Sequence, residues 1–365
     1  MSSLVPLKLV CDNNVLWENK QPSSTMFSRP LFLKFSKENS LNIKEETENI
    51  LTEYKKLNPS YLKEGVSVTH HLLMTMVDGK IISKSETSNQ VCDICKAKPT
   101  DMNHLTKLKQ RSLNIDMYKY GLSSLHAWIR AMETILHIAY RLEFKTWTAR
   151  GNKKAILEKR KAEIQKRFRD ETGLLIDIVQ QGAGTTNNGN AARRFFADPE
   201  KTSNITGVSQ DLIARLSVLL RALASGEQIN PQNFTQYGWE TAELFVSLYG
   251  WYYMPSSMHK LLIHGGDIIK HLDIMPIGAL SEEAAESRNK DFRKIRENRT
   301  RKFNRKVTNR DILNNLLISS DPFLPTIRPK MSVSPKSPLP NEVKNLLASN
   351  VDETFEFIDV DDDVE

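Results

Sequence analysis

The sequence predicts an α/β opening, a large helical body and an acidic, disordered end, and three observations carry that prediction. Short β-rich runs, PLKLV, PLFLKF and VSVTHHLLMTMV, crowd the first part of the chain. Patterns with apolar residues at helical spacing dominate from about Asp101 to Lys270. The final stretch, VDETFEFIDVDDDVE, is too acidic to bury a core of its own. A chain of 365 residues with 39% hydrophobic content is long enough for two or three domains around sizeable cores.

Each element has a local reason. Between PLFLKF and VSVTHHLLMTMV lies NIKEETENILTEYKKL, with Ile43, Ile50, Leu51 and Tyr54 at roughly helical spacing. SSLHAWIRAMETILHIAYRL, KKAILEKRKAEIQKRF, SQDLIARLSVLLRALA and NFTQYGWETAELFVSLYGWYY each read as a long helix. Between the second and third of these, QQGAGTTNNGNAARRFF is rich in Gly, Thr and Asn and reads as a loop entering a short helix. A further helix starts near Leu280 and runs into a strongly basic stretch, and beyond about Pro322 the chain turns Pro/Ser-rich and then acidic. Trp128, Ile129, Met132, Leu136 and Tyr140 recur at helical spacing and are read as core, as are the aromatics of YGWYYMP. SPKSPLP reads equally as a flexible linker or a phosphorylation target. The expected regions are therefore 1–97, α/β; 98–279, helical; 280–310, a late helix with a basic run; and 311–365, a linker and acidic tail.

Composition excludes several classes. Three cysteines in so long a chain cannot form a disulfide framework, which points to a reducing compartment and to thiols used for metal or left free. No run of 18 apolar residues occurs, and the start lacks the basic head and apolar centre of a signal peptide, so a soluble intracellular protein with no membrane partner is expected. Lys and Arg exceed Asp and Glu by 51 to 44, and the excess is unevenly spread.

The stretch VCDICKAK sets a chemical problem. Cys92 and Cys95, two residues apart, make a knuckle that brings two thiolates to a tetrahedral zinc, which needs two more ligands. The only other cysteine is Cys11, and histidines are the candidates for the missing ligands. His104 lies nearest; SSMHKLLIHGGDIIKH offers His259, His264 and His271. On an unbroken helix His264 and His271 share a face, whereas His259 and His264 point about 140° apart. Gly265-Gly266 could end or loosen that helix and let His264 swing towards His259, so spacing leaves the choice open.

The order of motifs resembles the catalytic core of the Transib transposases and of the vertebrate V(D)J recombination-activating protein. Asp78 in MVDGK is followed by Cys92 and Cys95, then by His259 and His264, then by Glu286 in SEEAAESRNKDFRKI, where the Glu-Ser-x-Asn-Lys context is similar to the family's. GTTNNGNAARRFF, at 184–196, looks like the family's Gly-Asn-x-Ala-Arg segment, which lies near DNA. The resemblance covers roughly residues 3 to 310. It implies a partial RNase H-like sheet carrying a large, zinc-stapled helical insertion, with Cys92, Cys95, His259 and His264 as ligands of a structural zinc. It further implies a nuclear protein that acts on double-stranded DNA, and a homodimer, because the related recombinases work as dimers.

The resemblance also implies chemistry. Enzymes of this kind hold two Mg²⁺ or Mn²⁺ ions with three carboxylates, and the ions clamp the attacking and leaving oxygens of an in-line phosphoryl displacement. Asp78 and Glu286 match the second and third carboxylates. The family's first catalytic Asp belongs to a strand that should precede PLKLV, and Asp12 aligns instead with the second strand, so the expectation is an incomplete triad.

DNA binding does not need the triad. From Arg288 to Lys306 there are ten basic residues against Asp291 and Glu297, a density suited to phosphate contacts and counterion release. Arg288, Lys290, Arg293, Lys294, Arg296, Arg299, Arg301 and Lys302 are the contact candidates there, with Asn190, Arg193 and Arg194 in the Gly-Asn segment. The basic run at 153–169 reads better as a solvated helix face. The leading expectation is a transposase-derived DNA-binding protein with an incomplete catalytic site. The alternatives are the C-terminal part of an active two-metal recombinase and a zinc-stabilised helical scaffold that binds no DNA.

Overall fold

The structure, a computed structural model, describes residues 2–12, 14–32, 40–62, 65–73, 91–180, 184–280, 283–327 and 338–348. Its N-terminal part holds β1 (Ser2–Leu4), β2 (Lys8–Cys11), β3 (Asn14–Glu18), β4 (Arg29–Phe32), α1 (Ser40–Lys55), β5 (Ser60–Tyr61) and β6 (Ser67–Val68). The helical part runs through α2 (Leu105–Leu108), α3 (Ser124–Ala139) and α4 (Asn152–Thr172) to the hairpin of β7 (Val179–Gln180) and β8 (Gly184–Thr185). It continues with α5 (Gly189–Phe195), α6 (Pro199–Thr206), α7 (Gln210–Ala224), α8 (Pro231–Tyr249) and α9 (Ser256–His271). Then come α10 (Glu283–Asn298), α11 (Arg305–Ser319), α12 (Leu324–Ile327) and α13 (Asn341–Lys344).

The chain is mostly helical, as the long apolar periodicities require. Its strands do not assemble into an RNase H-like sheet among the described residues. They pair only as four two-stranded antiparallel ladders, β1 with β4, β2 with β3, β5 with β6 and β7 with β8. Val10, Val15, Leu16 and Trp17 stand exposed on β2 and β3, because a lone two-stranded ladder buries its apolar side chains only where another layer packs on its face. PLKLV and PLFLKF do supply strands, whereas VSVTHHLLMTMV contributes only Ser67–Val68 before the described residues break off.

Helix ends follow side-chain chemistry. Ser123, Asn188, Asp198, Ser209, Asn230 and Asn304 each accept a hydrogen bond from a backbone N–H in the first turn of α3, α5, α6, α7, α8 and α11. Pro199 and Pro231 sit at the first position of α6 and α8, where no N–H is needed. At the end of α4, Gly173 takes a left-handed φ of 64°, and the Gly173 and Leu174 amides donate to the Arg169 and Phe168 carbonyls.

The main core is built from α3 to α9 and the segment from Cys92 to Leu122, with Trp128, Met132, Leu136 and Tyr140 inside it as the spacing predicts and Ile129 half-buried. Tyr249, Tyr252 and Met254 of YGWYYMP are buried too. Helices α8 and α9 pack closest, because glycines remove the side chains between them: a Cβ on Gly238 would lie 2.5 Å from the Leu262 carbonyl oxygen, and one on Gly265 2.7 Å from the Phe234 ring. Gly265-Gly266 therefore does not end or loosen the helix. Helix α9 runs unbroken from Ser256 to His271, and the pair serves close approach instead.

Two features of the C-terminal third depart from a linker followed by a tail. Helix α11 crosses position 310, and Ile312 and Leu316 on it pack with Ile295 and Phe292 of α10 in a small second core. Residues 338–348 dock on the main core: Val343 and Leu346 are buried, the Asn230 amide donates to the Leu346 carbonyl, and the Ala348 amide to the Gln228 carbonyl. The acidic residues 349–365 lie outside the described residues.

Candidate metal centre

The Cys92–Cys95 knuckle is shaped by its own backbone. The Cys92 N–H donates to the Ala97 carbonyl at 2.9 Å and the Lys96 N–H to the Cys92 carbonyl at 2.8 Å, with Lys96 at a left-handed φ of 54°. Arg111 braces the knuckle from outside, donating to the Cys95 and Lys96 carbonyls and pairing with Asp101 at 2.7 Å. Asn103 ties the same segment to the turn before α9: its amide donates to the Gly250 and Tyr252 carbonyls, and its Oδ1 accepts from the Met254 N–H at 3.0 Å. Residues far apart in sequence are thus held in one place before any metal is considered.

Across from the knuckle, α9 presents His259 and His264. Five residues apart, they leave the helix about 140° from one another, yet their rings converge with centroids 5.0 Å apart. Cys95 Sγ lies 3.2 Å from His259 Nε2. One ligand atom from each of Cys92, Cys95, His259 and His264 falls within 4.8 Å of all the others, and all four residues are buried. These four side chains could hold a metal ion. Among the described residues no other group of three or more His, Cys, Asp or Glu side chains meets that test. The remaining candidates stand elsewhere: His104 is exposed at the start of α2, and His271 is exposed with its ring edge on Tyr118.

The donor atoms fit a metal. A tetrahedral zinc with bonds of about 2.0 to 2.3 Å needs donor separations of about 3.3 to 3.8 Å, close to the Cys95–His259 contact. Among the described residues, His264 Nε2 is buried with no hydrogen-bond partner; an unsatisfied buried nitrogen costs about 1 to 3 kcal/mol, and coordination through that nitrogen removes the cost. The electrostatic surroundings point the same way. A hydrogen bond with Cys92, helped by Ala97 and Arg111, lowers the Cys95 thiol to about 7 against the opposing effect of burial. Burial lowers the pKa of His259. Thiolate and neutral imidazole are the forms that bind metal.

The other predicted site residues are dispersed. Asp78 lies outside the described residues, and Glu286 lies in the first turn of α10, one turn before Lys290. Asn190 is exposed at the start of α5, Arg193 is half-buried, and Arg194 donates to the Thr172 carbonyl at 2.7 Å. Helix α10 sorts its residues by face: Arg288, Phe292 and Ile295 turn inward, while Lys290, Arg293, Lys294, Arg296 and, just beyond the helix, Arg299 and Lys302 are exposed. Arg288 therefore cannot serve as a phosphate contact. It is 1% exposed, its Nε donates to the Ser28 carbonyl, its Nη1 donates to Ser319 Oγ at 2.7 Å, and Asp291 lies 3.5 Å away. Arg301 spends its guanidinium on Asp311 at 2.7 Å.

Sequence reasoning missed Asn103 and Arg111, which place the knuckle, because most of their partners are backbone groups, which leave no mark on residue type. No known family model matches the chain, and no curated protein matches it.

Proposed function

We propose that this chain is a zinc-stapled DNA-binding protein derived from a transposase related to the V(D)J recombinase core, acting on double-stranded DNA in the nucleus. The observation that carries the reading is the division of α10, whose inner face packs on α11 while Lys290, Arg293, Lys294 and Arg296 stay in solvent. Exposed cations along one helix suit a phosphate backbone and supply affinity without base specificity. The motif order from Asp78 to Glu286 supports the derivation. Zinc suits the cluster because two thiolates and two imidazoles fill a tetrahedral shell and leave no open position, which makes the ion a staple between the knuckle and α9 and not a catalyst.

The test is anisotropy of a labelled duplex across a KCl series. Affinity should fall linearly on logarithmic axes, and replacing Lys290, Arg293 and Lys294 together by Ala should flatten the slope by about 2 to 3. Binding that is absent at low salt would sink the reading and leave a zinc-stabilised scaffold. A second reading, part of a working two-metal recombinase, draws on the position of Glu286 directly before the basic face of α10. It requires Mg²⁺- or Mn²⁺-dependent nicking that disappears in both Asp78→Ala and Glu286→Ala.

A further inference from the structure

The turn between α10 and α11 holds an aromatic ring where folding gives it no use. Phe303 is 85% exposed, the most exposed of the large apolar side chains described, although both neighbouring helices bury apolar residues close by. The turn around it is braced. The Arg301 N–H donates to Asp311 at 3.0 Å, and the Arg301 guanidinium meets both oxygens of the same carboxylate at 2.7 and 3.1 Å. Asn304, immediately after Phe303, caps α11 through the Val307 N–H at 2.9 Å. Between these two anchors Lys302 is driven to a left-handed φ of 47°, which a non-glycine residue adopts only where its surroundings impose it. A ring in solvent on a constrained turn is held out.

The surroundings say what it is held towards. Arg299, Lys302, Arg305 and Lys306 are exposed around it, and the Asp311 carboxylate at the turn is taken by Arg301. A polyanion with flat apolar faces fits both features, since cations take phosphates while an aromatic ring stacks on a base or wedges between two. A basic turn without the ring would bind a duplex as well, so the ring's contribution is greatest where bases are already unstacked.

Resting on the DNA-binding reading above, we propose that Phe303 is a base-stacking wedge that gives this chain a preference for distorted or locally unpaired DNA over regular duplex. The probe is a labelled 30-base-pair duplex, compared with the same duplex carrying a three-base bulge, in anisotropy titrations of the full chain. Wild type should favour the bulged duplex, and Phe303→Ala should lower affinity for it about tenfold while changing regular-duplex affinity by less than about twofold. Phe303→Trp should restore the preference, with its fluorescence quenched on the bulged duplex. Because the side chain is exposed, thermal melting should be the same for all three proteins. Equal affinity of wild type for both duplexes, or equal losses on both in Phe303→Ala, overturns the wedge while leaving DNA binding intact; no salt-sensitive binding to either overturns the reading beneath it. A Phe303-dependent change of oligomeric state with an unchanged bulge preference assigns the ring to a protein contact and also overturns the proposal.

Discussion

Cys95 Sγ and His259 Nε2 lie 3.2 Å apart although 164 positions separate them in the chain. A metal joining that pair with Cys92 and His264 closes a long loop, and the free energy of binding becomes free energy of folding. The purified chain is therefore expected to carry one zinc, seen by elemental analysis, and to lose it in Cys95→Ser and in His264→Ala. Chelation should lower the melting temperature by about 10 °C or more. A metal-free chain that melts identically with and without chelator would show that the four side chains are no staple.

The tight seam between α8 and α9 gives a steric prediction. A methyl group on Gly238 would meet the Leu262 carbonyl, which belongs to rigid helix backbone and cannot turn aside. Gly238→Ala should cost about 2 kcal/mol in urea denaturation, even though alanine is the better helix former. A neutral or stabilising result would mean that the two helices part easily.

Arg288 and Lys290 sit two residues apart and should behave oppositely. Arg288→Ala removes a buried guanidinium from the Ser28 carbonyl and Ser319, and should destabilise the fold by about 3 kcal/mol. Lys290→Ala should leave melting unchanged and reduce the salt slope of duplex binding by about 0.9. Equal effects of the two substitutions on stability would contradict the face assignment of α10.

Acid should release the brace at the Phe303 turn. The hydrogen bond from the Arg301 guanidinium, with that from its amide, holds Asp311 at about 2. A depressed carboxyl pKa contributes stability that is fully present above its unfolded value, about 3.9, and is lost as pH falls towards the folded one. The difference in melting temperature between wild type and Asp311→Asn should thus be constant above about pH 5 and shrink towards pH 2. Taking a difference removes the contribution of metal release in the same range. A difference that widens on acidification would have the wrong sign for this pair.

Sequence alone determined the helices and the ligand types. Apolar periodicity and capping residues are local, and local patterns are enough to place α3, α4, α7, α8 and α9. The Cys-x-x-Cys spacing likewise announced half of a metal site. Helical geometry alone pointed towards His264 with His271, and only the resemblance in motif order pointed to His259. Of the N-terminal strands β2, β4 and β6 fall in runs legible as strands, whereas β1, β3 and β5 do not, and no pairing was legible, because ladder partners are chosen by non-local contacts.

The tertiary structure decided which histidines face the knuckle and which cations remain in solvent. His259 and His264 face the knuckle because Asn103 ties the knuckle segment to the turn before α9, while Gly238 and Gly265 let α8 close on α9. Arg288 and Lys290 are both cations, but one packs against Ser28 and α11 and the other faces water. Composition records that a side chain is charged, whereas packing determines whether that charge is left for a partner.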